Sequence, residues 1–228
     1  MDRVGFVDYS RQADMDRFIQ DRSGINFERT RVVIIGCGGI GIWLGLHAAL
    51  LGFTHFTLFD RDAVDSSNLN RLPVDQRWIG KPKVLALKAI IRGVRPDTVI
   101  LATRKHFNPD TDLNVLERTR ANCNKTLVFD CTDNAIVQKK IFKLIHPVYN
   151  HNYIKVGYEG FDVGAYDNYD IWIDNEEEYE TGYRTSSANS MSSSFAAIIG
   201  LLKALSGQYG DININMLSMI GVANEQLG

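Results

Sequence analysis

RVVIIGCGGIGIWLGLHAALLGFTHFTLFD, residues 31–60, is the stretch that decides the fold. It opens on a β-branched run to Ile35, the pattern of a strand buried on both faces. Gly36-Cys37-Gly38-Gly39-Ile40-Gly41 ends that run, Gly39 to Leu51 reads as a helix, and His55 to Phe59 is a second short strand ending in Asp60. Strand, glycine turn, helix and strand in that order form the βαβ unit of a parallel sheet.

Outward from this unit the alternation continues. Pro82 sits where a first helical turn tolerates proline, and Val84, Leu85, Leu87, Ile90 and Ile91 give the next helix an apolar stripe before Gly93 and Pro96 end it. A strand at Thr98 to Ala102, a helix over residues 111–121, a buried strand at Thr126 to Phe129 and a helix from Ala135 to Ile145, stopped by Pro147, follow. The expected fold is α/β, a Rossmann-like doubly wound, mostly parallel sheet. Past residue 150, Tyr153 to Tyr158 and Val163 to Ile173, linked at Gly160, read as an antiparallel extension. A surface crossover loop carrying Glu176 to Glu180 and Thr185 to Ser190 leads to a helix over Met191 to Leu205; the segment from Asp211 is ambiguous. On the amino-terminal side, residues 1–30 form a helical arm, with a helix from Arg11 to Arg22.

Composition narrows the function classes. The chain has 228 residues, 45% hydrophobic and 23% charged, with net charge −2, so it has enough apolar material for one large core and lacks the basic footprint that nucleic-acid phosphates require. Nucleic acid is not an expected partner. Cys37, Cys123 and Cys131 include no C-x-x-C pair, which argues against a disulfide framework or cysteine zinc site and for a reducing, cytoplasmic compartment. The longest hydrophobic stretch, Ile40 to Phe53, is too short and interrupted to span a bilayer, and the amino terminus has no signal-like apolar region.

The glycine turn marks a backbone that comes close to a phosphate. Gly36 permits the turn, Gly38 removes a side chain that would block the anion, Gly41 lets the helix pack on the strand, and Gly39 opens that helix. Asp60, 19 residues beyond Gly41, is placed to accept hydrogen bonds from ribose hydroxyls. On these features alone a dinucleotide site has the first claim. Asp60-Arg61-Asp62-Ala63-Val64-Asp65-Ser66-Ser67-Asn68-Leu69-Asn70-Arg71 and Gly80-Lys81-Pro82-Lys83 weaken it, because a nicotinamide cofactor needs no such array. A triphosphate carries more charge, and moving its α-phosphorus requires cations on the transition state and on departing pyrophosphate. Arg71 and Lys83 are therefore assigned to phosphate oxygens and Asn70 to a supporting hydrogen bond, with Asp62 and Asn68 completing the nucleotide-contacting set. Asp130-Cys131-Thr132-Asp133-Asn134 falls at the carboxyl end of a buried strand, where open α/β sheets bind ligands. Asp133 is the expected Mg²⁺ ligand; Asp130 is read equally as a buried structural carboxylate capping the next helix.

With these residues placed, the chain resembles the ThiF/MoeB family, the adenylating superfamily that includes the ubiquitin-activating enzymes. The likeness runs through GCGGIG, FDRDAVDSSNLNR, IGKPK and DCTDN, and through Tyr9-Ser10-Arg11-Gln12, similar to the family's amino-terminal R-Y-x-R-Q element. It covers residues 9 to about 145 specifically. The resemblance implies attack of a protein or peptide C-terminal carboxylate on the α-phosphate of Mg-ATP, giving an acyl-adenylate and pyrophosphate. It implies an acceptor that is a small ubiquitin-like or sulfur-carrier protein ending in Gly-Gly. Carried over residue by residue, it puts Asp60 on the ribose, Arg71 and Lys83 on the phosphates and Asp133 on magnesium. Arg11 would reach the partner subunit's ATP across a two-fold interface, which makes the working unit a homodimer.

Departures from the family pattern are informative. Leu72 stands where many members have glutamine, and the absence of paired C-x-x-C motifs implies that the structural zinc of several bacterial members is missing. No cysteine follows Cys131; Ser186, Ser187 and Ser190 occupy the region of the nucleophilic cysteine of thioester-forming members, so no enzyme-bound thioester is expected. The chain is accordingly divided into the arm (1–30), an ATP-binding Rossmann-like region (31–150) and a sheet extension, crossover loop and C-terminal helix of the same domain (151–228). The alternatives are adenylation of a peptide or modified-tRNA carboxylate, an NAD-dependent oxidoreductase, and a non-catalytic nucleotide-binding module.

Overall fold

β1 (Thr30–Ile35) is buried at every position, and parallel strands flank it on both sides, β2 (His55–Phe59) and β4 (Lys125–Asp130). The computed structural model describes residues 10–117, 123–133, 135–149, 152–167, 188–207 and 209–220. Alternate side chains of β1 feed two cores, as the period of a strand requires. Val32 and Ile34 pack with buried residues of α2 (Gly39–Leu51), α3 (Lys83–Val94) and α6 (Ser190–Ser206). Val33 and Ile35 pack with Phe59, Phe107 and with Ile141 and Ile145 of α5 (Ala135–Tyr149), against which Leu113 and Val115 of α4 (Pro109–Glu117) also lie. The result is a helix–sheet–helix sandwich.

The sheet has seven strands in the order β3-β2-β1-β4-β5-β6-β7. β3 (Val99–Thr103) and β5 (Tyr153–Glu159) continue the parallel set, and β6 (Asp162–Tyr166) and β7 (Ile212–Asn215) close it antiparallel. The Rossmann-like, mostly parallel sheet with an antiparallel extension is the architecture expected from sequence. α2 and β2 have the expected limits, and α1 (Ser10–Ser23) and α6 extend the expected helices by one residue at each end. Among the described residues no helix is long and apolar enough to cross a membrane.

Some boundaries differ. α5 does not stop before Pro147 but runs to Tyr149, because the proline falls in the last turn, where it forfeits one backbone bond instead of breaking a long ladder. α4 begins at Pro109, two residues early: Asp112 Oδ2 accepts the Asn108 N–H at 2.9 Å and Asn108 Oδ1 accepts the Asp110 N–H at 3.0 Å, which fixes the first turn. Its expected end, residues 118–121, lies outside the described residues, as do residues 168–173 of the expected long strand and the acidic part of the crossover. β6 ends at Tyr166, and Asp167 accepts a hydrogen bond from the buried Lys203 of α6 at 2.9 Å, tying the sheet extension to that helix. The ambiguous segment after Asp211 supplies β7.

Strand register positions the site. Ile35 pairs with Phe59 and with Asp130, so Gly36, Asp60 and Cys131 emerge side by side at the carboxyl edge. The ladder continues one step further, with Gly36 N donating to Phe59 O and Cys131 N to Ile35 O, both at 2.8 Å. The chain runs outward from β1 to β3 and returns to β4 on the other side of β1, which makes this edge the switch point where such sheets open a crevice.

Candidate functional site

At this carboxyl edge the backbone leaves no room for side chains at two of the glycines. Gly36 has φ of +92°, and a Cβ there would lie 2.9 Å from Cys131 O; a Cβ on Gly41 would lie 1.9 Å from Gly36 O. Gly38, the N-cap of α2, is different: a Cβ there would meet nothing within 4 Å. Gly36 and Gly41 therefore shape the turn, and Gly38 leaves room above it, at the positive end of a buried, apolar helix.

Asp60 organises this turn. Its Oδ2 accepts the Cys37 N–H and its Oδ1 the Asp62 N–H, each at 2.7 Å. Burial is the largest influence on its pKa and pushes it above the ordinary 3.8, against the lowering by those N–H bonds and by Lys83. The two neighbouring thiols are inert for the same reason. Burial raises Cys37 well above 9.0 and Cys131 to about 12, so neither supplies a thiolate near neutral pH.

The charged segments fold against α2. Lys83 begins α3 directly after Pro82; its backbone N–H donates to Asp62 O at 2.9 Å and its ammonium pairs with Asp62 Oδ2 at 3.3 Å. Arg71 is oriented from both ends. Its carbonyl accepts Trp43 Nε1–H from α2 at 2.8 Å, and its Nη1 donates to Ser67 O at 3.0 Å and Asn70 Oδ1 at 2.9 Å. Its stem crosses the start of α2, where a Cβ on Gly39 would lie 3.2 Å from Arg71 Cδ and 2.7 Å from Ser193 Oγ. Asn70 bridges, since its Nδ2 donates to Ala188 O at 2.7 Å, just before α6. The buried Asn68 spends its Oδ1 on the Asp65 N–H at 3.1 Å in a reciprocal cap with Asp65, which leaves Nδ2 without a partner among the described residues.

Beyond β4, the two aspartates part. Asp130 is fully buried: Oδ1 accepts the Thr132 N–H at 3.0 Å and Oγ1–H at 2.6 Å, and Oδ2 accepts the Tyr153 hydroxyl at 2.8 Å. It is thus a structural carboxylate of the loop. Asp133 is exposed and has no hydrogen-bond or ion-pair partner among the described residues. No group of three potential metal-ligating side chains occurs among those residues, so a cation here would be held by a carboxylate and by ligand oxygens.

The structure adds residues that motif reading missed. Lys155 on β5 is buried and donates to Thr132 O at 2.5 Å, Val156 O at 3.1 Å and Asp130 O at 3.4 Å, and Gln138 Nε2 donates to the same Thr132 O at 2.5 Å. Ser193 of α6, also buried, donates to the Tyr158 hydroxyl at 3.1 Å. A lone lysine inside the apolar run of β5 was the available signal; the serine had none. Burial lowers the pKa of His47 from its ordinary 6.5, and the ring shares a hydrogen bond with Ser194 at 3.1 Å, a structural role. Of the three candidate serines, Ser190 opens α6, whereas Ser186 and Ser187 lie outside the described residues. Arg11 lies in the first turn of α1.

Several solved structures share this fold. MccB of E. coli, in a crystal with ATP, superposes with a TM-score of 0.62 at 16% identity, covering 88% of this chain and 66% of that one. The E. coli tRNA N6-threonylcarbamoyladenosine dehydratase TcdA, also with ATP, superposes at 0.64 and 17% identity, covering 89% and 96%. Among curated sequences, the molybdopterin-synthase adenylyltransferase of Escherichia coli is 31% identical over 113 residues, 49% of this chain and 43% of its own length. The adenylyltransferase and sulfurtransferase uba4 of Aspergillus niger is 33% identical over 111 residues, 48% of this chain and 22% of its own. The match thus spans less than half the length of either curated relative. Residues 9–170 match the model of the ThiF family, and with most of its length inside that match the chain belongs to the ThiF family.

Proposed function

We propose that the chain is an ATP-dependent adenylyltransferase that activates the C-terminal carboxylate of a small ubiquitin-like or sulfur-carrier protein ending in Gly-Gly. The observation that carries this reading is an open α2 N-terminus crossed by the Arg71 stem, beside Asp60 and an Asp62 that pairs with Lys83. Two curated relatives named as adenylyltransferases support it. In the proposed reaction an acceptor carboxylate oxygen bonds to the α-phosphorus of ATP as the bond to the bridging oxygen breaks, giving acyl-adenylate and pyrophosphate. Asp60 would accept from the ribose, Gly38 would leave the phosphates room at the α2 N-terminus where the Gly39 backbone N–H would meet them, and Arg71 and Lys83 would hold charge developing on the pyrophosphate. Asn68, through its open Nδ2, completes the phosphate contacts, and Asn70 acts through Arg71.

The residues present fit Mg²⁺ in the manner usual for nucleotide sites, with the Asp133 carboxylate, which has no partner among the described residues, and the rest of the shell left to phosphate and water. When bound, the ion would neutralise phosphate charge. We further propose a homodimer in which Arg11 serves the partner subunit's site, and a reducing, cytoplasmic setting that suits three free cysteines. Raised Cys37 and Cys131 pKa values fit hand-off of the adenylate without an enzyme-bound thioester.

A second reading is adenylation of a peptide or a modified-tRNA carboxylate; MccB and TcdA, each crystallised with ATP, share this fold. Pyrophosphate exchange into ATP, measured with a Gly-Gly-ended protein, a peptide and tRNA as alternative acceptors, separates them. Exchange should require the Gly-Gly carboxylate and fall by roughly 100-fold in Arg71→Ala and Lys83→Ala. Nucleotide binding without exchange on any carboxylate would overturn the enzymatic reading and leave a binding module.

A further inference from the structure

Two adjacent residues of the loop after β4 are held in opposite ways. Thr132 has every polar group occupied: its N–H and Oγ1–H donate to Asp130 Oδ1, and its carbonyl accepts from both Lys155 Nζ and Gln138 Nε2. Asp133, the next residue, is exposed with no partner among the described residues. A fixed pedestal followed by a free carboxylate is an arrangement that aims a side chain outward while preventing its backbone from drifting.

The cation beneath the pedestal is costly to keep there. Lys155 is buried, and its three donors go to three carbonyls, with no carboxylate within ion-pair distance among the described residues. Desolvating an ammonium costs several kcal/mol, and a methionine would fill similar space without that cost. Packing therefore does not account for the lysine. What distinguishes it from an apolar replacement is its grip on Thr132 O, where it acts from a β5 position in direct register with Asp130.

We propose that Lys155, assisted by Gln138, is a positioning residue that fixes the Thr132–Asp133 peptide so that Asp133 presents its carboxylate to the metal–phosphate group of the nucleotide. The inference rests on the nucleotide reading above and adds to it a residue that touches neither nucleotide nor metal. Partners that orient a metal ligand in this way typically change metal affinity by about 10- to 100-fold when removed.

The test is a double-mutant cycle on the whole chain. Lys155→Met, Asp133→Asn and the double variant are titrated with a non-hydrolysable ATP analogue in the presence and absence of Mn²⁺, with bound Mn²⁺ read by electron paramagnetic resonance and folding by urea denaturation. Lys155→Met should weaken Mn²⁺ binding to the nucleotide complex by about 10-fold or more, yet cost less than about 2-fold once Asp133 is already Asn. Gln138→Leu, which removes no charge, should repeat that non-additivity with a smaller loss and serves should Lys155→Met fail to fold. Equal losses in both Asp133 backgrounds, or wild-type Mn²⁺ affinity in the folded variants, would overturn the inference while the nucleotide reading stands. Failure of the wild-type chain to bind the analogue would overturn the nucleotide reading and the inference together.

Discussion

Replacing Gly41 and Gly38 by alanine, one at a time, separates a glycine that the fold needs from one that the ligand needs. A Cβ on Gly41 would sit 1.9 Å from Gly36 O, over an ångström inside the 3.0 Å that real Cβ atoms respect, and the obstacle is backbone. Helix propensity favours alanine by only about 1 kcal/mol. Relieving the overlap means backing α2 away from β1, which loosens Ile42, Leu44 and Ala48 in the core. Overpacking that moves backbone costs about 3 kcal/mol or more, so the clash wins and Gly41→Ala should lose roughly 2–4 kcal/mol. For a chain of this size that is a fall in Tm of roughly 5–15 °C. Gly38→Ala meets nothing within 4 Å, so it should cost at most about 1 kcal/mol for the poorer N-cap while weakening ATP binding roughly 10-fold or more. Urea unfolding and a nucleotide titration on both variants give the answer. A Gly41→Ala chain as stable as wild type, or a Gly38→Ala chain with unchanged ATP affinity, would refute the assignment of the two roles.

Two further outcomes can be measured, one from the geometry of Asp60 and one from the proposed homodimer. Burial raises Asp60 above 3.8, so the folded chain binds its proton more tightly than the unfolded chain; the stability it contributes is full below pH 3.8 and is lost as pH rises through the folded value. The unfolding free energy of wild type minus that of Asp60→Ala should fall with rising pH across that window, while ATP affinity, which uses the ionised carboxylate, rises; a stability difference that grows with pH would reverse the assignment. If Arg11 acts on the partner subunit's nucleotide, Arg11→Ala and Asp133→Ala, each inactive alone, should recover about one quarter of wild-type pyrophosphate exchange after subunit reassortment, and no recovery despite exchange of subunits would exclude that arrangement.

The parts of this molecule that were legible in its sequence are those specified by near neighbours. α2 could be read to the residue because its glycines, apolar body and the Gly52 that ends it in a left-handed conformation lie in one continuous stretch. β3 slipped by one residue because Val99 and Thr103 are half-buried near a sheet edge, where the hydrophobic pattern is weak. In the candidate site, Arg71 and Lys83 were singled out through local motifs. Asp130 stayed ambiguous because its role depends on Tyr153, which lies on the next strand. Lys155 and Ser193 act between a strand and a distant loop or helix, which no spacing rule within one segment reaches, and Gln138, though only six residues from Thr132, belongs to no motif.

The Asn70–Ala188 hydrogen bond and the contact of Gly39 with Ser193 bear on where this chain could be cut. Every nucleotide motif is complete by residue 134, yet a fragment ending at residue 150 would discard the carbonyl that anchors Asn70, the helix start on which Gly39 closes and the ammonium under Thr132. Such a fragment would keep the vocabulary of the site and lose its grammar. Grafting the motifs into another scaffold calls for α6 and β5 as well, because the candidate site is built on the whole sheet with its returning helix.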